Sequence, residues 1–398
     1  PIAIKELARA KGLSATSGSP VFAGQVALDD DLFVARIRAA GAIIIGKTNA
    51  PEFGLGSHTY NPLFGTTRNP YDLSRSAGGS SGGAAVALAT GMLSVADGSD
   101  MMGSLRNPAG WNNVYGMRPT WGLVPDADAD DVFVSTLATD GPMARTPSDL
   151  AALLDTMSGV DSRAPFARGA DLSLPGINDL VSPPHIGWLG DWNGALPMEQ
   201  GVLETCEAAL GTMHAIGWPV EPVQDLFNSD AIWTSWTHLR AWLVAMRHQD
   251  KYGDPALRPL LKEAMVYEIE TGLALTPHEI YAASGIRSDW FRSATQMFGK
   301  HDVLALPTAQ VWPFDAELTH PASIAGHEMD TYHRWMQVVV PASLAGLPAV
   351  SVPAGFGPDG MPMGLQLIGP QGSDGYLLQI AQAWHKATDW PGKRPAIV

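Results

Sequence analysis

Hydrophobic residues occur along this chain in short runs that alternate with stretches of helical periodicity. Residues 31–40 have the apolar spacing of a helix, and residues 42–45 form a β-branched apolar run bounded by glycines. The same patterns predict helices at 84–90 and 148–157 and short buried strands at 93–96, 303–306 and 349–352. This alternation of strands and helices is typical of an α/β sheet, which is the fold class that we predict.

Two longer stretches differ from this alternation. Residues 222–300 are helical in pattern and rich in Trp and Met, so we interpret them as an inserted or peripheral layer. Residues 338–356 are mildly apolar but contain three prolines, which favours strand and loop over a membrane helix. No repeat or linker divides the chain, so we predict one domain over residues 1–398.

Composition and charge exclude several classes of protein. With 13 Trp and only 16% charged residues, the chain is not disordered. Its formal net charge of -15 opposes binding to nucleic acid or to anionic membranes. Cys206 is the only cysteine, which fits a reducing, cytoplasmic compartment. The first residue is Pro1 rather than Met, so we expect that an N-terminal piece has been lost.

The densest cluster of special residues is the run 76–84, which holds four glycines and three serines before a predicted helix. Ordering glycine costs backbone entropy, so the run indicates unusual dihedrals or a close approach to a ligand. A flexible loop is one alternative, and a phosphate loop is disfavoured because no Gly-Lys-Ser/Thr follows. Gly78 to Gly82 also match a nucleophile elbow formally, but that motif needs an apolar strand before it, and residues 68–75 resemble a loop.

A second serine of interest is Ser104, which lies 24 residues after Ser80 and follows the predicted strand at 93–96. A serine in such a turn can act as a nucleophile, with nearby backbone N–H groups stabilising an oxyanion. It needs a base, and no histidine lies near either serine in the sequence. Lys5, after a strand-like stretch, is either an ordinary strand-end lysine or, if buried, a base whose pKa is lowered by desolvation.

Seven segments between residues 1 and 355 form an ordered series, and three of them contain the candidate residues Lys5, Ser80 and Ser104. In order they are Pro1 to Leu7, Gly46-Lys47-Thr48-Asn49-Ala50-Pro51-Glu52-Phe53, Gly78 to Gly83, Gly103-Ser104-Leu105-Arg106, Tyr115-Gly116-Met117-Arg118-Pro119-Thr120, Gly141-Pro142-Met143-Ala144-Arg145-Thr146 and Leu347-Pro348-Ala349-Val350-Ser351-Val352-Pro353-Ala354-Gly355. Together with the serine spacing, they resemble successive blocks of the amidase signature family. The resemblance covers most of the chain and is weakest between about residues 183 and 300.

This resemblance implies a fold and a chemistry. The family hydrolyses carboxamides through a Ser–cis-Ser–Lys triad on a single large α/β domain, whose mixed central β-sheet is covered by helices. The matching positions here are Ser104 as the nucleophile, Ser80 as the proton relay and Lys5 as the base, with a cis bond between Gly79 and Ser80. The same resemblance implies a small-molecule amide substrate and no cofactor or metal, and it leaves a homodimer open.

Around these positions, further residues are candidates for a supporting role. Ser81 would supply a second hydroxyl, and Asp100 with Arg106 could brace the loop through a charge-assisted pair; a purely structural role is equally open. The oxyanion and substrate-binding candidates are Met101, Met102 and Gly103, where most of the family has Thr-Gly-Gly. The two methionines are tolerated there if neither position requires a positive φ. Alternatively, they narrow the site and leave a weakly active or merely ligand-binding homologue.

Substrate preference depends on the helical region at about 222–300, which we expect to line or cover the pocket. Its apolar stripe, Ile232, Trp236, Leu239, Leu243 and Met246, is typical of core packing. If Trp233, Trp242 or Met101 face the cleft instead, the pocket favours an apolar or aryl amide.

Two other functions are considered. One is that of the glutamine-hydrolysing component of a tRNA-dependent amidotransferase, which belongs to the same family and supplies ammonia to a partner. It needs a charged group that recognises the α-carboxylate and amine of glutamine, and the sequence locates none. The other is metal chemistry, which is disfavoured because no His-Glu-x-x-His occurs and His320 and His327 lack a further ligand at convincing spacing.

Overall fold

The structure is a computed structural model, which describes residues 1–169, 171 and 173–396. The strands are β1 (Ile2–Lys5), β2 (Ile44–Thr48), β3 (Tyr60–Asn61), β4 (Gly65–Thr66), β5 (Arg68–Asn69), β6 (Asp72–Ser76), β7 (Val95–Asp100), β8 (Tyr115–Arg118), β9 (Thr139–Ala144), β10 (Ile186–Trp188), β11 (Val220–Pro222), β12 (Val303–Pro307), β13 (Ser323–Ile324), β14 (His327–Glu328), β15 (Ala349–Phe356) and β16 (Pro362–Ile368). The α-helices are α1 (Leu32–Ala39), α2 (Gly82–Ala89), α3 (Arg106–Trp111), α4 (Pro147–Met157), α5 (Val202–Ala215), α6 (Ser229–Gly253), α7 (Glu263–Ala274), α8 (Pro277–Met297), α9 (Val340–Ala345) and α10 (Asp374–Thr388).

Eight of these strands form one mixed sheet in the order β11-β10-β12-β16-β15-β8-β9-β7. Strands β10, β11 and β12 are parallel, and every other neighbouring pair is antiparallel. The strands β15 and β16 at the centre are buried almost throughout, as expected where helices cover both faces of a sheet. The predicted α/β fold with a mixed central sheet is therefore confirmed.

The two edges of this sheet differ in what they carry. Strand β7 forms one edge, and the separate parallel pair β1 and β2 lies beside it. The backbone N–H of Lys5 donates to Asp97 Oδ1 across this junction at 3.0 Å. Strand β11 forms the opposite edge. Because β1 ends at Lys5, the lysine side chain is delivered to the β7 edge.

The helical region is built from α6, α7 and α8. Helix α6 begins where the Asn228 side chain accepts a hydrogen bond from the N–H of Ala231, and α8 begins with a capping box between Thr276 and Glu279. The apolar stripe of α6 is buried at its first three positions, whereas Met246, the last, is 45% exposed. The stripe therefore packs in the core only along the N-terminal half of the helix.

Three predicted elements differ from the structure. Residues 338–356 begin with the end of a 3-10 helix and with α9 before β15, because Pro341 lies in the first turn of α9, where a helix tolerates the missing N–H. Residues 68–75 are not a loop but belong to the hairpin of β5 and β6, outside the main sheet. The strand predicted at 93–96 starts at Val95 and runs on to Asp100, since pairing with β9 continues past the apolar run.

The lengths of the helices bear on whether the chain could span a membrane. Within the described ranges, none is both long enough and apolar enough to cross a bilayer.

Candidate active site

A cavity of about 980 Å³ opens at the β7 edge of the sheet. Lys5, Ser80 and Ser104, the three residues predicted for catalysis, all line it. Side chains of α6, Met101 and Met102 form other parts of its wall. Lys5 and Ser104, which are 99 positions apart in the sequence, are thus gathered around one space.

Lys5 is the hub of a hydrogen-bond network and is only 1% exposed. Its Nζ lies 2.8 Å from Ser80 Oγ, 2.9 Å from Ser81 Oγ and 3.0 Å from Ser99 Oγ. A charged lysine can donate three hydrogen bonds, whereas a neutral one donates two and accepts one. The same contacts can therefore hold Lys5 in either protonation state, with a serine hydroxyl donating to the neutral amine.

Burial lowers the pKa of Lys5 from 10.5 to about 8, and the nearby carboxylates of Asp97, Asp140 and Asp100 oppose this shift. Burial also raises the pKa of Asp97 to about 6, against the effect of the hydrogen bond from the Lys5 backbone. The neutral amine that a general base requires is consequently accessible near neutral pH.

The glycine run before α2 is used for close packing. The Gly79–Ser80 peptide bond is cis, and Gly78 has a φ of 75°. A Cβ on Gly78 would lie 2.6 Å from Asn107 Oδ1, and one on Gly83 would lie 2.5 Å from the backbone nitrogen of Asn49. These contacts leave no room for a side chain, so the run is an ordered element of the site rather than a flexible loop.

Ser104 lies just before α3 and is 6% exposed. Its carbonyl accepts a hydrogen bond from the N–H of Ser81 at 3.2 Å, which ties the two serine-containing loops together. The hydroxyls of Ser80 and Ser104, which both lie in the described part of the chain, are not joined by a hydrogen bond. The structure thus forms the link between Lys5 and Ser80 and places Ser104 in the same cavity.

The backbone of the loop before Ser104 is compatible with the two methionines in it. Only Gly103 has a positive φ, 78°, and neither Met101 nor Met102 requires one. The N–H of Gly103 donates to Asp100 Oδ1 at 2.9 Å, so this group is engaged, contrary to the expectation that it serves an oxyanion. Within the described chain, the N–H groups of Met101, Met102 and Ser104 have no such acceptor, and they remain as candidate donors.

Asp100 and Arg106 form a fully buried two-point ion pair behind this loop. Arg106 Nε and Nη2 donate to the two carboxylate oxygens of Asp100, each at 3.0 Å. Burial alone would raise the pKa of Asp100, but the guanidinium groups of Arg106 and Arg118 hold it below its usual range. Arg106 also donates to Gln366 Oε1 at 2.6 Å. The pair therefore anchors the loop to the central sheet and lies behind the cavity wall.

Sequence reasoning missed two residues of this network, Asp97 and Ser99. Both lie on β7 and, being two positions apart, share one face of the strand, which is the face that meets Lys5. The strand predicted at 93–96 ends before them. A period-2 pattern continued past Ala96 is the signal that could have found them.

The rest of the cavity wall combines apolar side chains with paired charges. Met101 and Trp242 line the cavity, whereas Trp233 packs away from it, with its ring 5.2 Å from that of His333. Apart from Lys5, each lysine or arginine described in this wall is paired with a carboxylate: Arg9 with Asp31, Arg240 with Glu268, Arg247 with Asp130 and Lys251 with Asp250. Among these described pairs, only that of Arg240 with Glu268 is buried, so Arg240 is the cation of the wall that is least available to a substrate carboxylate.

The amino-acid sequence of this chain is similar to those of several known proteins. A family model described as Amidase matches residues 1–378. A glutamyl-tRNA(Gln) amidotransferase chain of Symbiobacterium thermophilum is 33% identical, over 100% of this chain and 84% of its own length. An acylamidase of Rhodococcus erythropolis is 30% identical, over 100% of this chain and 83% of its own length.

Solved structures give the same result at the level of the fold. The crystal structure of a bacterial aryl acylamidase, belonging to the amidase signature enzymes, superimposes with a TM-score of 0.91 at 28% identity. That match covers 99% of this chain and 85% of the acylamidase.

Proposed function

The chain belongs to the amidase signature family, and from this premise we propose that it hydrolyses a small, neutral amide with an apolar or aryl group. The observation that carries the proposal is the buried hydrogen bond of 2.8 Å between Lys5 Nζ and Ser80 Oγ, beside Ser104 in one cavity. A nucleophile, a relay and a base are the parts that acyl transfer through an activated serine requires.

In the first step, Ser104 Oγ attacks the carbonyl carbon of the amide. The Ser104 proton passes to Ser80 Oγ while the Ser80 proton passes to the neutral Nζ of Lys5, so Ser80 gains one proton and loses one. The pKa of about 8 at Lys5 supports this assignment, because a large fraction of the amine is neutral in mildly alkaline solution.

The oxyanion that develops on the carbonyl would be stabilised by the unengaged N–H groups of the loop, those of Met101, Met102 and Ser104. Fixed backbone donors of this kind cost no reorganisation during the reaction. Protonated Lys5 then returns its proton through Ser80 to the departing amine, and the C–N bond breaks. Water attacks the resulting Ser104 ester by the same proton path, which releases the acid and restores the serine.

The preference for a neutral substrate rests on the cavity wall. Met101 and Trp242 offer apolar contact, and the guanidinium of Arg240 is already bound by Glu268 at 2.6 Å and by Tyr332 at 2.7 Å. Binding a carboxylate there would require breaking a buried ion pair, which is costly. The structural similarity to an aryl acylamidase supports the same substrate class.

A second candidate is the hydrolysis of glutamine in support of a partner protein. Sequence identity of 33% to a glutamyl-tRNA(Gln) amidotransferase chain favours it. The buried pairing of Arg240 with Glu268 argues against it, because glutamine carries a carboxylate that needs a free positive group. Release of ammonia from glutamine faster than cleavage of an aryl amide would favour this candidate.

Hydrolysis of 4-nitroacetanilide, followed by the absorbance of 4-nitroaniline, tests the proposal. We expect turnover by the wild-type chain and a loss of at least about 10⁴-fold in kcat/KM for Ser104→Ala. Ser288→Ala, which changes an exposed serine of α8, is the matched control and should be as active as the wild type. Hydrolysis by Ser104→Ala at the wild-type rate would refute the catalytic assignment, and absence of turnover by both chains would leave a ligand-binding homologue.

A further inference from the structure

Three side chains with metal-binding atoms converge at the β11 edge of the sheet, opposite the edge that carries the cavity. They are His185, Glu221 and His301, and one ligand atom from each lies within 4.8 Å of the others. His185 directly precedes β10, Glu221 lies in β11, and His301 precedes β12. These three strands are adjacent and parallel, so their backbone brings the three side chains together.

The distances fit a bound ion. Glu221 Oε1 lies 2.9 Å from His301 Nε2 and 3.4 Å from His185 Nε2. A tetrahedral Zn²⁺ with bonds of about 2.0 Å holds its ligand atoms about 3.3 Å apart. The two measured distances lie on either side of that value, so the ion could be accommodated with small side-chain movements.

The two ring nitrogens of His301 have different partners. Its Nδ1 lies 3.1 Å from the carbonyl oxygen of Met297, and its Nε2 lies 2.9 Å from Glu221 Oε1. The ring is therefore oriented with Nε2 toward the other two side chains of the cluster, where a metal ion would engage His185 as well.

The surroundings hold the three ligands in place. A Cβ on Gly187 would lie 2.9 Å from Cγ of His301, so the glycine makes room for the imidazole ring. The N–H of His185 donates to Asp302 Oδ2 at 2.8 Å, and the N–H of Asp302 donates back to the His185 carbonyl at 2.9 Å. The bond from His301 Nδ1 to a carbonyl is the outer contact that orients metal-binding histidines.

The cluster of His185, Glu221 and His301 is also open to solvent on one side. The His301 side chain is 5% exposed, but those of His185 and Glu221 are 34% and 52% exposed. An ion can therefore enter from the Glu221 side, and water can complete its coordination.

We propose that His185, Glu221 and His301 form a binding site for a divalent transition metal of the Zn²⁺ type. The ion joins three adjacent strands and stabilises the sheet edge remote from the reaction, independently of the proposed amidase chemistry. This departs from the sequence prediction of no metal, in which these histidines carried no signal. The ligands are 36 and 80 positions apart, too far for a local motif.

Titration of the untagged, chelator-treated chain with ZnCl₂ and CoCl₂ tests the proposal. We expect one ion per chain by calorimetry, a Co²⁺ absorption band from nitrogen and oxygen ligands, and a higher melting temperature with Zn²⁺. Glu221→Gln and His185→Gln should each weaken Zn²⁺ binding by at least about 100-fold, which is the upper end of what loss of an outer contact alone costs.

His278→Gln is the matched control, since His278 is exposed on α8 and outside the cluster. It should bind Zn²⁺ as tightly as the wild type. Both ligand positions are partly exposed, so the variants should fold, which circular dichroism checks. The proposal is overturned if the wild type shows no saturable binding, in which case the three side chains form an ordinary polar cluster. Unchanged binding by both ligand variants would overturn it equally.

Discussion

The two edges of the central sheet gather chemically active residues in different ways. At the β7 edge, Lys5, Ser80 and Ser104 are all buried, with relative exposures of 1%, 2% and 6%. At the β11 edge, two of the three ligating side chains are about one third or more exposed. The first site is enclosed and lowers the pKa of its lysine to about 8, whereas the second is open to solvent and ions. Burial makes the first suitable for proton transfer and exposure makes the second suitable for exchange of an ion.

Among the changes that test the difference between the two edges, Lys5→Met is expected to have the largest effect. Lys5→Met removes the base while retaining a side chain of similar length, and we expect kcat/KM to fall by about 10²–10⁴-fold. The fold should persist, because the loss of the lysine hydrogen bonds is offset by removal of a desolvated cation. Aryl amide turnover and Zn²⁺ calorimetry on the same sample measure both sites. A fall in Zn²⁺ affinity together with activity would show that the two edges are coupled or that the variant is misfolded.

A smaller effect is expected on the stability of the fold when the buried pair of Asp100 and Arg106 is broken. Arg106→Met leaves the Asp100 carboxylate buried without its two-point partner, so we expect the free energy of unfolding to fall by about 3–5 kcal/mol. Urea denaturation measures it. Arg292→Gln, at an exposed pair with Asp289, is the control and should unfold at the wild-type urea concentration. If Arg106→Met is as stable as the control, the buried pair does not anchor the loop.

The dependence of turnover on pH is expected to be gradual rather than all-or-none. Because Lys5 acts as the neutral amine and burial lowers its pKa to about 8, kcat/KM should rise with pH and level off above that value. Well below it, each unit of pH should cost about tenfold in rate. A rate that stays constant from about pH 6 to about pH 9 would contradict the assignment of Lys5 as the base.

Much of the β7 edge could be predicted from the sequence, because its signals are local. The glycine-serine run, the serine spacing and the apolar runs each occupy a short stretch of the chain, and they located Ser80, Ser104 and three of the eight strands of the sheet, β7, β12 and β15. Asp97 and Ser99 were missed because β7 continues past its apolar residues by pairing with β9. That pairing is a long-range contact, which local patterns do not contain.

The cluster at the β11 edge could not be predicted, although the strand at 303–306 was. His185, Glu221 and His301 become neighbours only through the order in which β10, β11 and β12 align. The engagement of the Gly103 N–H by Asp100 was also beyond the sequence, since it depends on how the loop folds back by three residues. Site residues could therefore be predicted where they belong to one contiguous motif. They could not be predicted where the order of the strands brings distant residues together.

Covalent labelling with phenylmethanesulfonyl fluoride, followed by peptide mass spectrometry, tests the central claim most directly. Ser104 is assigned as the nucleophile, activated through Ser80 by Lys5. We expect one sulfonyl group per chain, on Ser104, and much slower labelling of Lys5→Met. A label found on Ser80 instead, or labelling of Ser104 at the same rate in Lys5→Met, would contradict it.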